Sequence, residues 1–224
     1  MAERRTKERG RDSERRLTSA IAPSPALRDL KREAAGCRAC PLWQRATQTV
    51  FGEGAPKADI MLVGEQPGDR EDLQGHPFVG PAGLLLERAI ASAGLDRRRI
   101  YRTNVVKHFK WEQRGKKRIH QRPDSQEIAA CRPWLDAELA AVRPTALVCL
   151  GATAAQALFG RGFKVTRQRG SLVRSSLAPL AMGTVHPSAI LRLPDEESRR
   201  QGFREFVSDL EHLRLALGGQ EQPA

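Results

Sequence analysis

Four stretches of this chain combine side chains that can move protons, read a polar edge or neutralise phosphate. The longest, Gly64–Gly83, reads GEQPGDREDLQGHPFVGPAG, with five glycines and three prolines in one tightly shaped loop. Backbone N–H groups in such a loop can face an anion or a carbonyl. A phosphate cradle of the P-loop type would end in Gly-Lys-Ser/Thr, which is missing, and Glu65, Asp69 and Asp72 would repel a triphosphate. An ATPase is therefore not expected. Phe78 in the same loop offers a ring for stacking, and Asn104 offers both a donor and an acceptor to a planar ring edge. His186, within His-Pro-Ser, can donate to negative charge developing on a leaving group, with Ser188 and Arg192 placed for phosphate contact. Lys107–Arg122 holds seven Lys or Arg against one acid, interleaved with Phe109 and Trp111. It includes Lys116, Lys117 and Arg118, and reads as a DNA-facing loop because each phosphate it neutralises releases counterions. His120, near its end, is a competent nucleophile in its neutral form.

These clusters need a scaffold to bring them together. Ala58–Val63 is an apolar run that reads as a buried parallel strand, and Ile100–Val106, Thr145–Leu150 and Leu180–Val185 read as three more. Gly83–Ala93 has apolar residues at helical spacing and stops at a C-capping Gly94. Asp124–Val142 reads as an amphipathic helix with Asp124 or Ser125 as N-cap and Glu127 near the capping-box position. An Ala-rich helix follows Gly151, and Glu196–Leu217 closes the chain, while Arg169-Gly170 predicts a hairpin or bend within Val165–Val173. Strands alternating with helices predict an α/β fold with a mostly parallel sheet. The chemically unusual residues fall just after the strands, where open α/β sheets bind their ligands.

Composition narrows the function. Lys+Arg 38 against Asp+Glu 26 leaves a net charge of +12 on 224 residues, which points to a polyanion, most simply nucleic acid. With 40% apolar and 5% aromatic residues, a disulfide scaffold, a collagen and a coiled coil are excluded. The sequence shows no membrane-spanning run and no secretory h-region, so the expectation is a cytoplasmic protein without membrane attachment. Residues 1–26 read as a disordered basic tail, 27–217 as one domain and 218–224 as a frayed terminus.

The loop GEQPGDREDLQGHPFVGPAG, together with His186-Pro-Ser-Ala-Ile-Leu-Arg192, closely resembles the two signature motifs of the iron–sulfur uracil-DNA glycosylases of family 4. Gln66, where conventional members carry Ala or Gly, and the insertion Gly115-Lys-Lys-Arg-Ile-His120 resemble the UdgX-type subgroup. Its members excise uracil and become covalently joined to DNA through that histidine. The resemblance implies a three-layer α/β/α domain around a four-stranded parallel sheet of order 2-1-3-4, acting as a monomer on uracil-containing DNA, preferably single-stranded. A uracil must leave the stack to be reached. The resemblance then implies that Gly64, Asp72, Phe78, Asn104 and His186 surround it, and that Lys116, Lys117, Arg118, Ser188 and Arg192 contact the DNA. Glu65 would orient or deprotonate His120, Gln66 would exclude or hold a water, and Asp69 would shape the loop or its field. An imidazole bonded to the sugar C1′ has no easily displaced leaving group, so turnover stalls, whereas the ester of a carboxylate nucleophile hydrolyses. Two readings compete: a conventional hydrolytic family 4 enzyme that turns over, and a noncatalytic iron–sulfur nucleic-acid-binding module.

Cys37, Cys40, Cys131 and Cys149 are expected to be reduced thiols. Cys37-Arg-Ala-Cys40 is a metal-site spacing, whereas Cys149 lies inside the apolar run TALVCL and reads as a core residue. In the family pattern the third ligand falls where this chain has His108 and the fourth where it has Cys131. The expected set is therefore Cys37, Cys40, His108 and Cys131 around a [4Fe–4S] cluster, with Cys149 as rival fourth ligand and zinc as rival metal.

Overall fold

The computed structural model describes residues 27–219; the expected tail over 1–26 lies outside them, as does most of the terminus over 218–224. The chain enters through α1 (Leu27–Ala34), a 3₁₀ turn (Pro41–Gln44) and a two-residue strand, β1 (Glu53–Gly54). There follow β2 (Ile60–Gly64), α2 (Asp69–Gln74), α3 (Pro81–Ser92), β3 (Ile100–Asn104), β4 (Trp111–Arg114), β5 (Lys117–His120) and α4 (Ser125–Val142). The second half comprises β6 (Ala146–Leu150), α5 (Ala152–Phe159), α6 (Val165–Gln168), β7 (Leu172–Val173), β8 (Leu180–Thr184), α7 (Pro187–Leu191) and α8 (Glu196–Gly218).

The sheet runs β1-β3-β2-β6-β8-β7. Its central strands β3, β2, β6 and β8 are parallel, and β1 and β7 close the edges antiparallel. It is thus six-stranded and mixed: four parallel strands form its centre, and two short antiparallel edge strands that were not expected flank them. Two residues at each edge are too few to show a period, and edges this short leave little backbone open to unwanted pairing. Successive side chains of a strand point to opposite faces, which gives the sheet two cores. Met61, Val63, Tyr101, Leu147 and Cys149 pack with Leu135 and Leu139 of α4. Ile60, Leu62, Val148 and Met182 pack with Leu86 and Ile90 of α3 and with Phe206 and Leu210 of α8. An aliphatic or Phe side chain fully buried here contributes about 1.5–3 kcal/mol, and helices on both faces explain why β2 and β6 are apolar throughout.

Helix α4 starts at a complete capping box. Asp124 accepts from Gln126 N–H and Glu127 N–H, while the Glu127 carboxylate accepts the Asp124 N–H. The bend expected near Arg169-Gly170 is the turn from α6 into β7, with Gly170 at φ +72°. The expected DNA-facing loop is instead an antiparallel hairpin, β4–β5, pairing Trp111 with His120 and Arg114 with Lys117. Its two-residue connection begins at Gly115 with φ +58°, a conformation that costs glycine nothing.

Candidate active site

The candidate residues gather at the carboxyl ends of the parallel strands. Gly64 ends β2 against Asn104, which ends β3. A β-carbon on Gly64 would lie 2.3 Å from the Asn104 Oδ1 and 2.8 Å from the Phe78 ring, so only glycine lets strand, amide and ring meet. Phe78 sits at φ +59° and its ring lies 6.3 Å from that of His186, 27° from parallel. The Asn104 Oδ1 is buried without a hydrogen-bond partner among the described residues. An orphaned buried acceptor is costly, and this one lies beside Gly64, next to the Phe78 ring.

His186 caps α7. Its Nδ1 accepts the Ser188 backbone N–H at 3.2 Å and lies 2.8 Å from the Ser188 hydroxyl. That fixes the ring proton on Nε2 and leaves an N–H to donate. Burial lowers its pKa to about 4, with Arg192 and His120 adding to the effect, so the ring is neutral at pH 7. Arg192 Nη1 donates to the Ser188 hydroxyl at 3.1 Å and so joins this chain of hydrogen bonds.

His120 ends β5 with its side chain about half exposed, its Nε2 3.3 Å from Glu65 Oε1. The Thr153 hydroxyl donates to the other oxygen of Glu65. Burial lowers the His120 pKa; Glu65 opposes that shift and Arg192 adds to it. The ring is therefore neutral at pH 7 while facing a carboxylate. His120, Glu65, Arg192 and His186 form one electrostatic neighbourhood at the strand ends.

The hairpin is held in place by three sets of bonds. Gln66 Nε2 donates to the carbonyls of Lys110 and Gln121 at 3.2 and 2.9 Å, and its Oε1 accepts the Lys110 N–H. Arg118 donates to Asp69 and Asp72, each at 2.6 Å, and its guanidinium covers the rings of Phe109 and Trp111. Trp111 Nε1 donates to the Arg45 carbonyl at 2.9 Å.

These contacts correct several expectations. Asp72 does not face a base: it is fully buried and accepts from Thr47 N–H, the Thr47 hydroxyl and Arg118. Arg118, expected to contact DNA, is engaged by both carboxylates, and Asp69, expected to shape the loop or its field, anchors it. The Gln66 amide is engaged on both its oxygen and its nitrogen by the hairpin neck. Lys107, at the start of the basic segment, is 1% exposed and bonds Glu138 at 2.5 Å, the Thr103 hydroxyl and the Asn104 carbonyl. It braces the end of β3 from below. Lys116 and Lys117 remain exposed at the hairpin tip.

Thr47 and the Lys107–Glu138 pair were not singled out in the sequence, since their partners lie far away along the chain. Only the hairpin had a local signal, a Gly115-Lys116 turn between two polar runs.

Cys131 lies in the second turn of α4, and its Sγ accepts the Lys107 N–H at 3.2 Å; Cys37 Sγ accepts the Trp134 indole N–H at 3.2 Å. Burial, reinforced by the Cys40 and Cys37 thiols, pushes the Cys131 pKa up to about 11 against the pull of Lys107. These three thiols therefore feel one another. Cys149 stays apart, fully buried in β6, with burial alone raising its pKa. The Thr49 hydroxyl donates to the Ala34 carbonyl, so its oxygen is free to accept a proton from His108 Nε2 at 2.9 Å. That tautomer leaves the His108 Nδ1 lone pair available. Among the described residues, no three His, Cys, Asp or Glu side chains converge as ligands of a single metal ion.

A mixed α/β sheet flanked by helices, with Gly64, Asn104, Phe78 and His186 gathered at the carboxyl ends of its parallel strands, defines an α/β protein with a candidate site at those ends. The chain belongs to the uracil-DNA glycosylase superfamily: residues 51–211 match the pattern described as the Uracil DNA glycosylase superfamily. It is 37% identical over 205 residues to a type-4 uracil-DNA glycosylase of Archaeoglobus fulgidus, an alignment covering 88% of this chain and 96% of that one. It is 38% identical over 178 residues to the type-4 enzyme of Sulfurisphaera tokodaii, covering 76% and 78%. A DNA polymerase of Bacillus phage SP01 shares 29% identity over 173 residues, which make up 17% of that protein. No helix among the described residues is long and apolar enough to cross a membrane.

Proposed function

We propose that this protein excises uracil from DNA, preferably from a single strand, and is captured covalently on the sugar C1′ through His120. Excision rests on the family and on the pocket: the orphaned Asn104 Oδ1 suits the N3–H of uracil, Phe78 suits its face, and the His186 Nε2–H suits its O2. As the C1′–N1 bond breaks, its electron pair leaves with the base, and His186, already neutral, donates a hydrogen bond to the anion without giving up a full charge. Positive charge is left on the sugar. The lone pair of the His120 imidazole then forms the N–C1′ bond, and the resulting imidazolium lies against the Glu65 carboxylate. The observation that carries this reading is an imidazole kept neutral by burial, 3.3 Å from the Glu65 carboxylate and within electrostatic reach of Arg192 and His186. Lys116 and Lys117 at the hairpin tip, with Ser188 and Arg192, are the expected DNA contacts.

The donor set of Cys37, Cys40, Cys131 and His108 suits a [4Fe–4S] cluster. Its thiols accept N–H bonds of the kind that surround cluster ligands, and Thr49 holds His108 with one nitrogen free. The cluster would supply a structural staple between the N-terminal helix and α4; a visible charge-transfer absorption band in the purified protein tests it.

A denaturing gel of the protein with a uracil-containing oligonucleotide tests capture. The expected result is a stoichiometric denaturant-resistant band that His120→Ala abolishes while uracil-DNA binding persists; His120→Ser is expected to restore some hydrolysis by admitting water. An unchanged band in the alanine variant overturns the role of His120, and many product strands per enzyme molecule identify a conventional hydrolase.

A further inference from the structure

Outside the base pocket, a groove of about 650 Å³ runs between the first turns of α4 and helix α5, large enough for a nucleotide-sized ligand. Its floor is apolar, formed by Ile128, Ala129 and Ala157, and three arginines line it, Arg122, Arg132 and Arg161. Arg132 is held by Asp136 and by the Ala157 carbonyl. Arg122 and Arg161 have no hydrogen-bond or ion-pair partner among the described residues. The acid in the groove, Asp124, is engaged by the α4 N-terminus and Lys110. The groove adjoins the reaction centre, because Thr153 lines it and donates to the carboxylate that faces His120. Arg122 stands two residues beyond His120.

We infer that this groove seats the nucleotide adjacent to the reacting one in an unpaired DNA strand, an inference that rests on the uracil-DNA reading above. A duplex keeps its base faces stacked and offers only phosphates. An apolar floor between unengaged guanidinium groups matches a strand whose base lies open on the protein while its phosphates meet the arginines. The site thereby accounts for a single-strand preference at a place that touches neither uracil nor C1′.

The test uses the full chain and single-stranded oligonucleotides carrying 2′-fluoro-2′-deoxyuridine, which resists cleavage, with the flanks trimmed stepwise from each end. Fluorescence anisotropy is measured for the wild type, Arg161→Glu and Ala129→Trp; both positions are exposed, so the fold should survive, and equal melting temperatures check this. For the wild type, one flank strengthens binding. Both variants lose that increment several-fold, and for Arg161→Glu the salt slope drops by roughly the 0.7 expected for one phosphate. The strand trimmed to the uracil nucleotide binds all three proteins alike. If trimming affects the wild type and both variants equally, the groove is not a strand site and the inference is overturned. If the wild type does not prefer uracil over thymine at any length, the uracil-DNA reading falls, and this inference with it.

Discussion

The pocket at the strand ends and the hairpin opposite it reach their positions by different means. The pocket is shaped by contact: Gly64 leaves no room for a β-carbon between Asn104 and Phe78, and a β-carbon on Gly151 would stand 3.0 Å from the Cβ of His186. The hairpin is exposed along most of its length, and β4 and β5 pair only with each other. Its place is set by polar side chains from elsewhere, namely Gln66 at its neck, Asp69 and Asp72 under Arg118, and the Arg45 carbonyl on Trp111. A region defined by packing resists changes in volume; a region defined by hydrogen bonds resists changes in partner. On the mechanism proposed above, base recognition should therefore fail with the first region and capture with the second.

Asn104→Ala gives the largest expected effect. Removing the group that reads the base edge should lower uracil excision roughly a hundredfold or more, as measured by single-turnover release of the base. Gln66→Ala should leave equilibrium binding of uracil-DNA nearly unchanged but slow adduct formation by about tenfold or more, because small displacements of a reacting group are expensive. Equal losses in binding and in adduct would erase the distinction between the two regions. Gly64→Ala is expected to destabilise the fold by about 1–3 kcal/mol through overpacking, measured by denaturant unfolding. Arg118→Met, which frees Asp69 and Asp72, should reduce adduct formation several-fold and leave thymine discrimination intact.

The smallest expected effect concerns pH. A protonated imidazole has no lone pair to attack with, so adduct formation should be flat through neutral pH. It should fall only below the ordinary histidine value of about 6.5, since burial and Arg192 lower the pKa of His120. Glu65 works in the opposite direction, so Glu65→Gln should move this acid limb to still lower pH. A limb that moves upward would show that Glu65 does not face His120 during the reaction.

The parts of the site that could be read in the sequence are those where local chemistry and local geometry coincide. The apolar run ending at Gly64, the Gly- and Pro-rich loop after it, Asn104 closing the next strand and the His-Pro turn after β8 all announce strand ends, and strand ends of a parallel sheet share one edge. The capping box of Asp124 and Glu127 was legible for the same reason: both partners lie within one turn. Asp72 misled because a carboxylate beside a binding loop looks functional, while its actual partner, Arg118, is 46 residues away. Charge density misled along Lys107–Arg122. Lys107 and Arg118 carry the same formal charge as Lys116 and Lys117, yet the first pair is committed to Glu138, Asp69 and Asp72 and only the second faces solvent.

By itself, then, the amino-acid order determined the alternation of strands and helices, the buried character of the central strands and the residue types at their ends, because each follows from spacing within a few residues. The tertiary structure alone decided which charges are free and which are engaged, that a glutamine braces a hairpin, and that an imidazole on that hairpin meets a carboxylate just beyond the end of β2. Those outcomes depend on distances between groups far apart along the chain, and such distances exist only once both faces of the sheet are covered.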